Sequence, residues 1–266
     1  MPETPDRYSH GHHESVLRSH KWRTAANSAA YLLASLKPGM SLLDVGCGPG
    51  NITADLAGVV SPGNVVGLDM PADLMRDAQA EHGSSNLSFE VGDVYALRFA
   101  DDTFDVVHAH QVLQHLSNPV GAIREMKRVV KPGGHVAVRD SDYGAFVWTP
   151  EDPRLARWMD IYHEITRRNR AEADAGRYLH RWVRDVGFSE VRASSSTWTF
   201  QTETDRAWWG GLWADRVLKS EFSRQGIEYG LTDERELADI ADAFRTWSSD
   251  PDGLFIVLHG EVIATK

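Results

Sequence analysis

Leu42-Leu43-Asp44-Val45-Gly46-Cys47-Gly48-Pro49-Gly50 is the stretch on which the reading of this chain turns. An apolar lead-in ends on three glycines separated by single residues, and NITADLAGVV, residues 51–60, follows with a helical pattern. A strand that stops on a glycine turn and re-enters as a helix brings bare backbone N–H groups against a ligand. Open α/β sheets bind their ligands at such strand ends. The run therefore locates a nucleotide-type site. The dinucleotide pattern G-x-G-x-x-G needs Gly or Ala where this chain has Asn51, and here the third glycine comes one residue early. Both departures, and Asp44 just before the turn, argue against a nicotinamide dinucleotide.

Strands and helices alternate outward from this run. A helix is expected over about residues 14–36, with Val16, Trp22, Ala26, Ala30 and Leu33 on one side, stopped by Lys37-Pro38-Gly39. After the glycine turn come strand VVGLDM (65–70), a helix over 72–82, strand LSFEVGD (87–93) and strand FDVVHAH (104–110). Asn118 reads as an N-cap with Pro119 in the first helical turn. Val120, Ile123, Met126 and Val130 face one way along that helix, Lys131-Pro132-Gly133-Gly134 ends it, and HVAVRD (135–140) is the fifth strand. Continuous apolar strands separated by helices imply a parallel sheet covered on both faces.

The second half departs from simple alternation. Helical patterns run over 153–169 and 177–188, a strand over 191–200, and a closing strand from Leu254 to Lys266. Two more helical patterns fall within 203–249. One passes through Trp209, Leu212, Trp213 and Val217; the other opens at Asp233 with Glu236 three residues on, a capping-box spacing. The expected fold is α/β: a Rossmann-like, seven-stranded, mostly parallel sheet with an antiparallel last strand, helices on both faces, and a helical cap. The expected organisation is a single domain, 1–266. Its core comprises 37–140, 176–200 and 254–266; residues 1–36 form an N-terminal helical lid, and 141–175 and 201–253 are cap insertions overhanging the glycine turn.

Composition narrows the classes of function. The 266 residues carry a net charge of −10, which disfavours a nucleic-acid footprint. No apolar run is long enough for a bilayer, and the start MPETPDRYSHGHHESVLRSH has no apolar signal-peptide core. The single cysteine, Cys47, fits a reducing compartment, so a cytoplasmic location is expected. His10, His12, His13 and His20 match no defensible zinc spacing, and no metal is expected. Arg167, Arg168 and Arg170 read as a solvated helix face.

DVGCGPG resembles motif I of the class I S-adenosylmethionine-dependent methyltransferases, and further segments agree in order and spacing. VVGLDM supplies the acidic residue ending the second strand, and VGDVYALRF resembles the adenine-contacting segment. FDVVHAHQVLQHL with REMKRVVKPGGHV is similar to the branch of ubiquinone and menaquinone C-methyltransferases. The resemblance covers Ser41 to Asp140, about half the chain. It implies S-adenosylmethionine as cofactor and a small-molecule methyl acceptor as partner.

It also implies roles for particular residues. The methionine moiety would lie over Gly46 and Gly48, with Cys47, Gly50 and Asn51 completing the turn and Asp44 accepting from the ammonium. Asp69 would take the ribose hydroxyls, and Met70 would pack on the adenine. Asp93 would accept from the adenine amino group while Val94 offers its N–H; a turn-initiating role is the plainer reading of Asp93. The backbone at His110 and Gln111 would touch the methionine end, and the Gln111 side chain could reach the ligand. His110, His115, Asp140 and Tyr143 are the candidates for catalysis, being next to the fourth and fifth strand ends; for His115 and Asp140 structural roles compete. Trp148, Trp158, Trp182, Trp198, Trp208, Trp209, Trp213 and Trp247 all follow the fifth strand. They are expected to fill the insertions, with a few facing an apolar or aromatic substrate. The expected reaction is methyl transfer to a small apolar or aromatic metabolite. The alternatives are an NAD-dependent oxidoreductase and an S-adenosylmethionine-binding protein that does not methylate.

Overall fold

The structure is a computed structural model and describes residues 6–9 and 14–266. Strands β1 (Leu42–Val45), β2 (Val65–Asp69), β3 (Leu87–Val91), β4 (Phe104–His110) and β5 (Val130–Ser141) form a parallel array in the order β3-β2-β1-β4-β5. Beyond β5 come β6 (Val147–Thr149), β7 (Glu190–Phe200) and β8 (Leu254–Thr265). β8 runs antiparallel to all its neighbours: β5 pairs with its second half, β6 with its first residues on the same edge, and β7 along the other edge. The expected sheet is present with one more strand, the short β6.

The helices are α1 (Glu14–Lys21), α2 (Ala25–Ser28), α3 (Ala30–Leu33), α4 (Asn51–Val60), α5 (Ala72–His82), α6 (Pro119–Val129), α7 (Pro153–Arg168), α8 (Ala175–Asp185), α9 (Glu203–Lys219), α10 (Glu221–Glu228) and α11 (Glu234–Ser249). All four residues of β1 are buried because both faces of the sheet are covered. Leu43 and Val45 join Ile123 and Met126 of α6 and Leu179 and Val183 of α8 in one core. Leu42 and Val65 join Leu32, Leu56 and Met75 in the opposite one. A third core joins α7, α9 and α11 through Trp158, Trp213 and Phe244. Burial of each such side chain contributes roughly 1.5–3 kcal/mol.

Three expectations are corrected. The N-terminal helix is broken into α1, α2 and α3, because Thr24 forms a capping box with Asn27 and restarts the chain. Its buried side is Val16, Ala25, Ser28, Ala29 and Leu32, while Ala26 and Ala30 face solvent and Trp22 is partly exposed. Residues 203–249 form three helices, since Ser220 caps a new one at Glu221. Lys131-Pro132-Gly133-Gly134 lies within the span of β5, and Val129 is the last residue of α6. Asn118 does cap α6, its side chain accepting from Gly121 N, with Pro119 first in the helix.

Candidate functional site

A cavity of about 520 Å³ opens at the C-terminal ends of β1, β2 and β4. This volume falls in the usual range of about 300–1,000 Å³ for small-molecule sites. Its floor is the β1–α4 turn. Gly46 has φ 67° and donates to Leu68 O at 2.7 Å, with Cys47 N adding a bond of 3.1 Å to the same oxygen. A Cβ on Gly46 would overlap Cγ2 of Val112. At Gly50, which caps α4 with φ 90°, a Cβ would stand 2.7 Å from the Phe89 ring. Only glycine satisfies both the left-handed backbone and the space.

Acidic side chains brace this turn. Buried Asp44 accepts from Thr53 Oγ1 at 2.6 Å, and its other oxygen lies 2.7 Å from His108 Nδ1. Asp69, at the end of β2, accepts from Gly48 N at 2.9 Å and from Met70 N at 2.7 Å. The Met70 side chain is 65% exposed at the cavity rim, so it is no core methionine. Asp93 accepts from Tyr95 N at 2.9 Å, the local turn bond its plainer reading anticipated, and lines the cavity with Val94. Asn51 also lines it, and its buried Oδ1 has no hydrogen-bond partner among the described residues. Burial pushes the Cys47 thiol well above its ordinary range, and its Sγ sits 3.7 Å from Met75 Sδ. Cys47 lines the cavity between Gly46 and Gly48.

The β4 end differs from expectation in detail. Gln111 adopts φ 54° and donates its backbone N–H to Arg139 O at 2.7 Å. Its Nε2 is taken by Ser141 Oγ and His259 Nε2, each at 2.8 Å, so this side chain anchors the loop. Burial, reinforced by Arg139, lowers His110 far below the usual imidazole range, and its Nε2 has no partner among the described residues. Burial holds His115 at about 3; its Nε2 is 2.9 Å from Gln114 Nε2, and its ring meets Tyr8 edge-on at 4.6 Å. Tyr143 lines the cavity, packed 4.2 Å from Tyr162, and burial raises its hydroxyl above the ordinary phenol range. Asp140 does not line the cavity. It is fully buried and accepts from Gln114 N at 3.0 Å, so it braces the 3-10 turn Leu113–His115; burial raises it to about 7. Of the four candidates for catalysis, His110, His115 and Tyr143 face the cavity and Asp140 does not.

His20, weighed from sequence only as a metal ligand, lines the cavity, and several other lining residues were not singled out from sequence, chiefly Asp6, Tyr8, Arg23, Tyr95 and Arg216. Arg216 follows Trp209 by seven residues and Trp213 by three, so it stands on the buried stripe of α9. A cation on an apolar helical stripe was the available signal. Residues 6–9 are tied on both sides of the cavity. Asp6 accepts from Tyr95 Oη at 2.6 Å and Ser117 N at 3.0 Å; Arg7 pairs with Glu228 at 2.6 Å, and Ser9 accepts from Asn169 at 3.0 Å. No tryptophan lines the main cavity; Trp22, Trp198, Trp208, Trp209 and Trp213 wall a narrow cleft that shares Arg23, Gln111, Tyr143 and Arg216 with it. His10, His12 and His13 lie outside the described residues, among which no metal-ligand cluster occurs.

A family profile described as "Methyltransferase domain" matches residues 36–187. The chain is 31% identical to an uncharacterized methyltransferase of Schizosaccharomyces pombe, over 97% of this chain and 96% of that protein. It is 35% identical to the ubiquinone/menaquinone biosynthesis C-methyltransferase of Bdellovibrio bacteriovorus, over 38% of this chain and 44% of the relative. The fold is similar to that of phosphoethanolamine N-methyltransferase 2 of Haemonchus contortus, at a TM-score of 0.59 and 15% identity, covering 96% of this chain and 58% of that one.

Proposed function

This chain belongs to the methyltransferase family, and from that premise we propose that it transfers the methyl group of S-adenosylmethionine to a small acceptor with an apolar or aromatic body. The observation that carries the reading is the glycine turn at the end of β1, held open by Asp69 and facing a cavity. Gly46 and Gly48 line the cavity, where a methionine moiety would lie along their backbone; Asp69 lines it too and would take the ribose hydroxyls, and the buried Asn51 Oδ1, without a partner among the described residues, offers an acceptor. When bound, S-adenosylmethionine supplies a methyl group activated on a sulfonium.

The chain's residues then align, exclude water and hold protons. In-line displacement at carbon needs no covalent enzyme intermediate, so positioning carries most of the rate. His110 and His115 stay neutral and add no charge beside a sulfonium. A histidine held at about 3 is also too weak a base to ionise an acceptor, and Tyr143 remains a protonated donor. Val112, Leu116, Tyr8 and Tyr143 give the cavity the apolar lining that supports the acceptor class.

Part of the same proposal is the division into a core of 37–140, 176–200 and 254–266, a lid of 1–36 and caps of 141–175 and 201–253. The ties of residues 6–9 support the lid, and the reach of Tyr143 and Arg216 into the cavity supports the caps. Among the described residues no helix is long and apolar enough to cross a membrane. A cytoplasmic location fits the free Cys47, and an acceptor other than nucleic acid fits the charge of −10.

Asp69→Ala tests the assignment by calorimetry with S-adenosylhomocysteine. A hydrogen bond to a charged group contributes about 1.5–3 kcal/mol, so affinity should fall roughly 10- to 100-fold. An affinity within about twofold of the parent's would remove Asp69 from the site.

A further inference from the structure

His110 closes β4 at the cavity with one ring nitrogen engaged and the other idle. The residue is 6% exposed. Its Nδ1 faces Arg139 Nη1 across a long contact of 3.5 Å. Arginine carries donors only, so Nδ1 presents its lone pair and the proton of the neutral ring sits on Nε2. Burial keeps that ring neutral, and Arg139 reinforces the effect.

Arg139 is itself fixed. It is 1% exposed, and it donates through Nε to Glu261 Oε1 at 3.2 Å and through Nη2 to Ser196 Oγ at 3.1 Å. Ser194 Oγ donates to the other Glu261 oxygen at 2.8 Å. Residues of β5, β7 and β8 thus set the His110 tautomer from behind. Arg139 does not line the cavity and His110 does, so the ring edge left for the cavity bears Nε2. That N–H has no partner among the described residues and is shut off from solvent. A donor kept from water and left unpaired is unfavourable, and a bound molecule that accepts from it relieves the cost.

The neighbours of the ring indicate which molecule that is. Gly46, Gly48 and Asp69, expected to hold the methyl donor, stand at the ends of β1 and β2, to one side of β4. Arg139, Trp198 and His259, which flank the His110 ring, come from the other side. Trp198, 5.9 Å from His110 between ring centres, also walls the narrow aromatic cleft. His110 therefore stands where the cavity adjoins that cleft.

We propose that the Nε2–H of His110 selects the second substrate, a flat apolar molecule bearing a carbonyl oxygen, with that oxygen on His110 and the apolar body toward Trp198. This rests on the methyl-transfer reading and narrows its substrate class. A carbonyl oxygen is satisfied by a single donor, whereas a buried hydroxyl also needs an acceptor for its own proton. Nε2 is closed over in this structure, so the oxygen reaches it through a local side-chain shift. The neutral ring orients the substrate and takes no proton from it.

The test uses the full chain loaded with S-adenosylhomocysteine and two probe pairs: acetophenone with α-methylstyrene, and 2-acetylnaphthalene with 2-isopropenylnaphthalene. Each pair exchanges a carbonyl oxygen for a methylene group of similar shape. Spectra of the 15N-histidine-labelled protein, with His110 assigned from the signals missing in His110→Gln, should show the Nε2–H tautomer near pH 7. At least one ketone, and neither alkene, should move the Nε2–H proton downfield. By calorimetry, His110→Phe should lower the ketone-to-alkene affinity ratio about tenfold, about 1.4 kcal/mol. His110→Gln, whose amide can donate, should keep part of the ratio. The Nδ1–H tautomer, an equal response to ketone and alkene, or no response to either ketone overturns the proposal on the unaltered protein alone, whether or not the variants fold. A ratio in His110→Phe within about twofold of the parent's also overturns it. So does a tenfold loss of S-adenosylhomocysteine affinity with the ratio kept, since Nε2 would then serve the methyl donor. Failure of the unaltered protein to bind S-adenosylhomocysteine at all is a separate result and sinks the methyl-transfer reading itself.

Discussion

Gly46→Ala probes the turn through two separable penalties. At φ 67° an alanine sits in the left-handed region, which costs about 1–2 kcal/mol. Its Cβ would also overlap Cγ2 of Val112 and stand 3.3 Å from Cγ1, an overpacking penalty of about 1–3 kcal/mol. The variant should therefore lose about 2–5 kcal/mol in all. Val112→Ala removes both colliding γ carbons. The double variant Gly46→Ala/Val112→Ala should regain the steric part and keep the backbone part. Urea unfolding of the four proteins closes the cycle, with an expected coupling of about 1–3 kcal/mol in favour of the pair. Repeating it with S-adenosylhomocysteine shows whether the added methyl also intrudes on the ligand. If the two single losses add within about 0.5 kcal/mol, the contact with Val112 is not what excludes a side chain at residue 46.

Asp140 is raised to about 7 by burial, against about 3.9 when unfolded, so the folded state holds its proton more firmly. The stability this gives is fully present below about pH 4 and is lost as pH rises through about 7, up to about 4 kcal/mol in all. Asp140→Asn should remove this slope in urea titrations across that window; a parent-minus-variant difference that stays flat with pH would show that Asp140 titrates normally. Asp6→Ala breaks the bonds to Tyr95 and Ser117, so stopped-flow release of S-adenosylhomocysteine should quicken several-fold with little change in thermal stability. Unchanged release would mean that residues 6–9 do not retain the ligand.

The cofactor half was legible because its signals are local. Asn51–Val60, Ala72–His82 and Phe104–His110 stand where the alternation of apolar runs and turn residues puts them. The N-terminal break was missed because Trp22-Arg23 contains neither glycine nor proline; its only marker is the Thr24–Asn27 pair, and a capping box with Asn at its far end is a faint signal. β6 is three residues long and exists through pairing with a strand more than a hundred residues away, which no local pattern reports. The same limit applies to the site. Gly46, Asp69 and Asp93 belong to one recognisable frame, whereas Arg23, between α1 and α2, and Arg216, on α9, are distant in sequence and line one cavity only after folding. Asp140 was legible as a residue at a strand end, but not as one whose carboxylate turns inward to Gln114.

The position of β8 affects how the molecule is made. Synthesis runs from the N-terminus, so β1 to β5 can emerge and pair while Leu254–Thr265 is still inside the ribosome. Until β8 appears, β5 has an open edge and β7 has no partner in the sheet among the described residues. A nascent chain halted near residue 250 would thus present two adhesive strand edges beside a nearly finished ligand pocket. β8 acts as a zipper that closes after the parallel strands have paired, and truncation within Leu254–Thr265 should lead to aggregation more readily than to a trimmed but working enzyme.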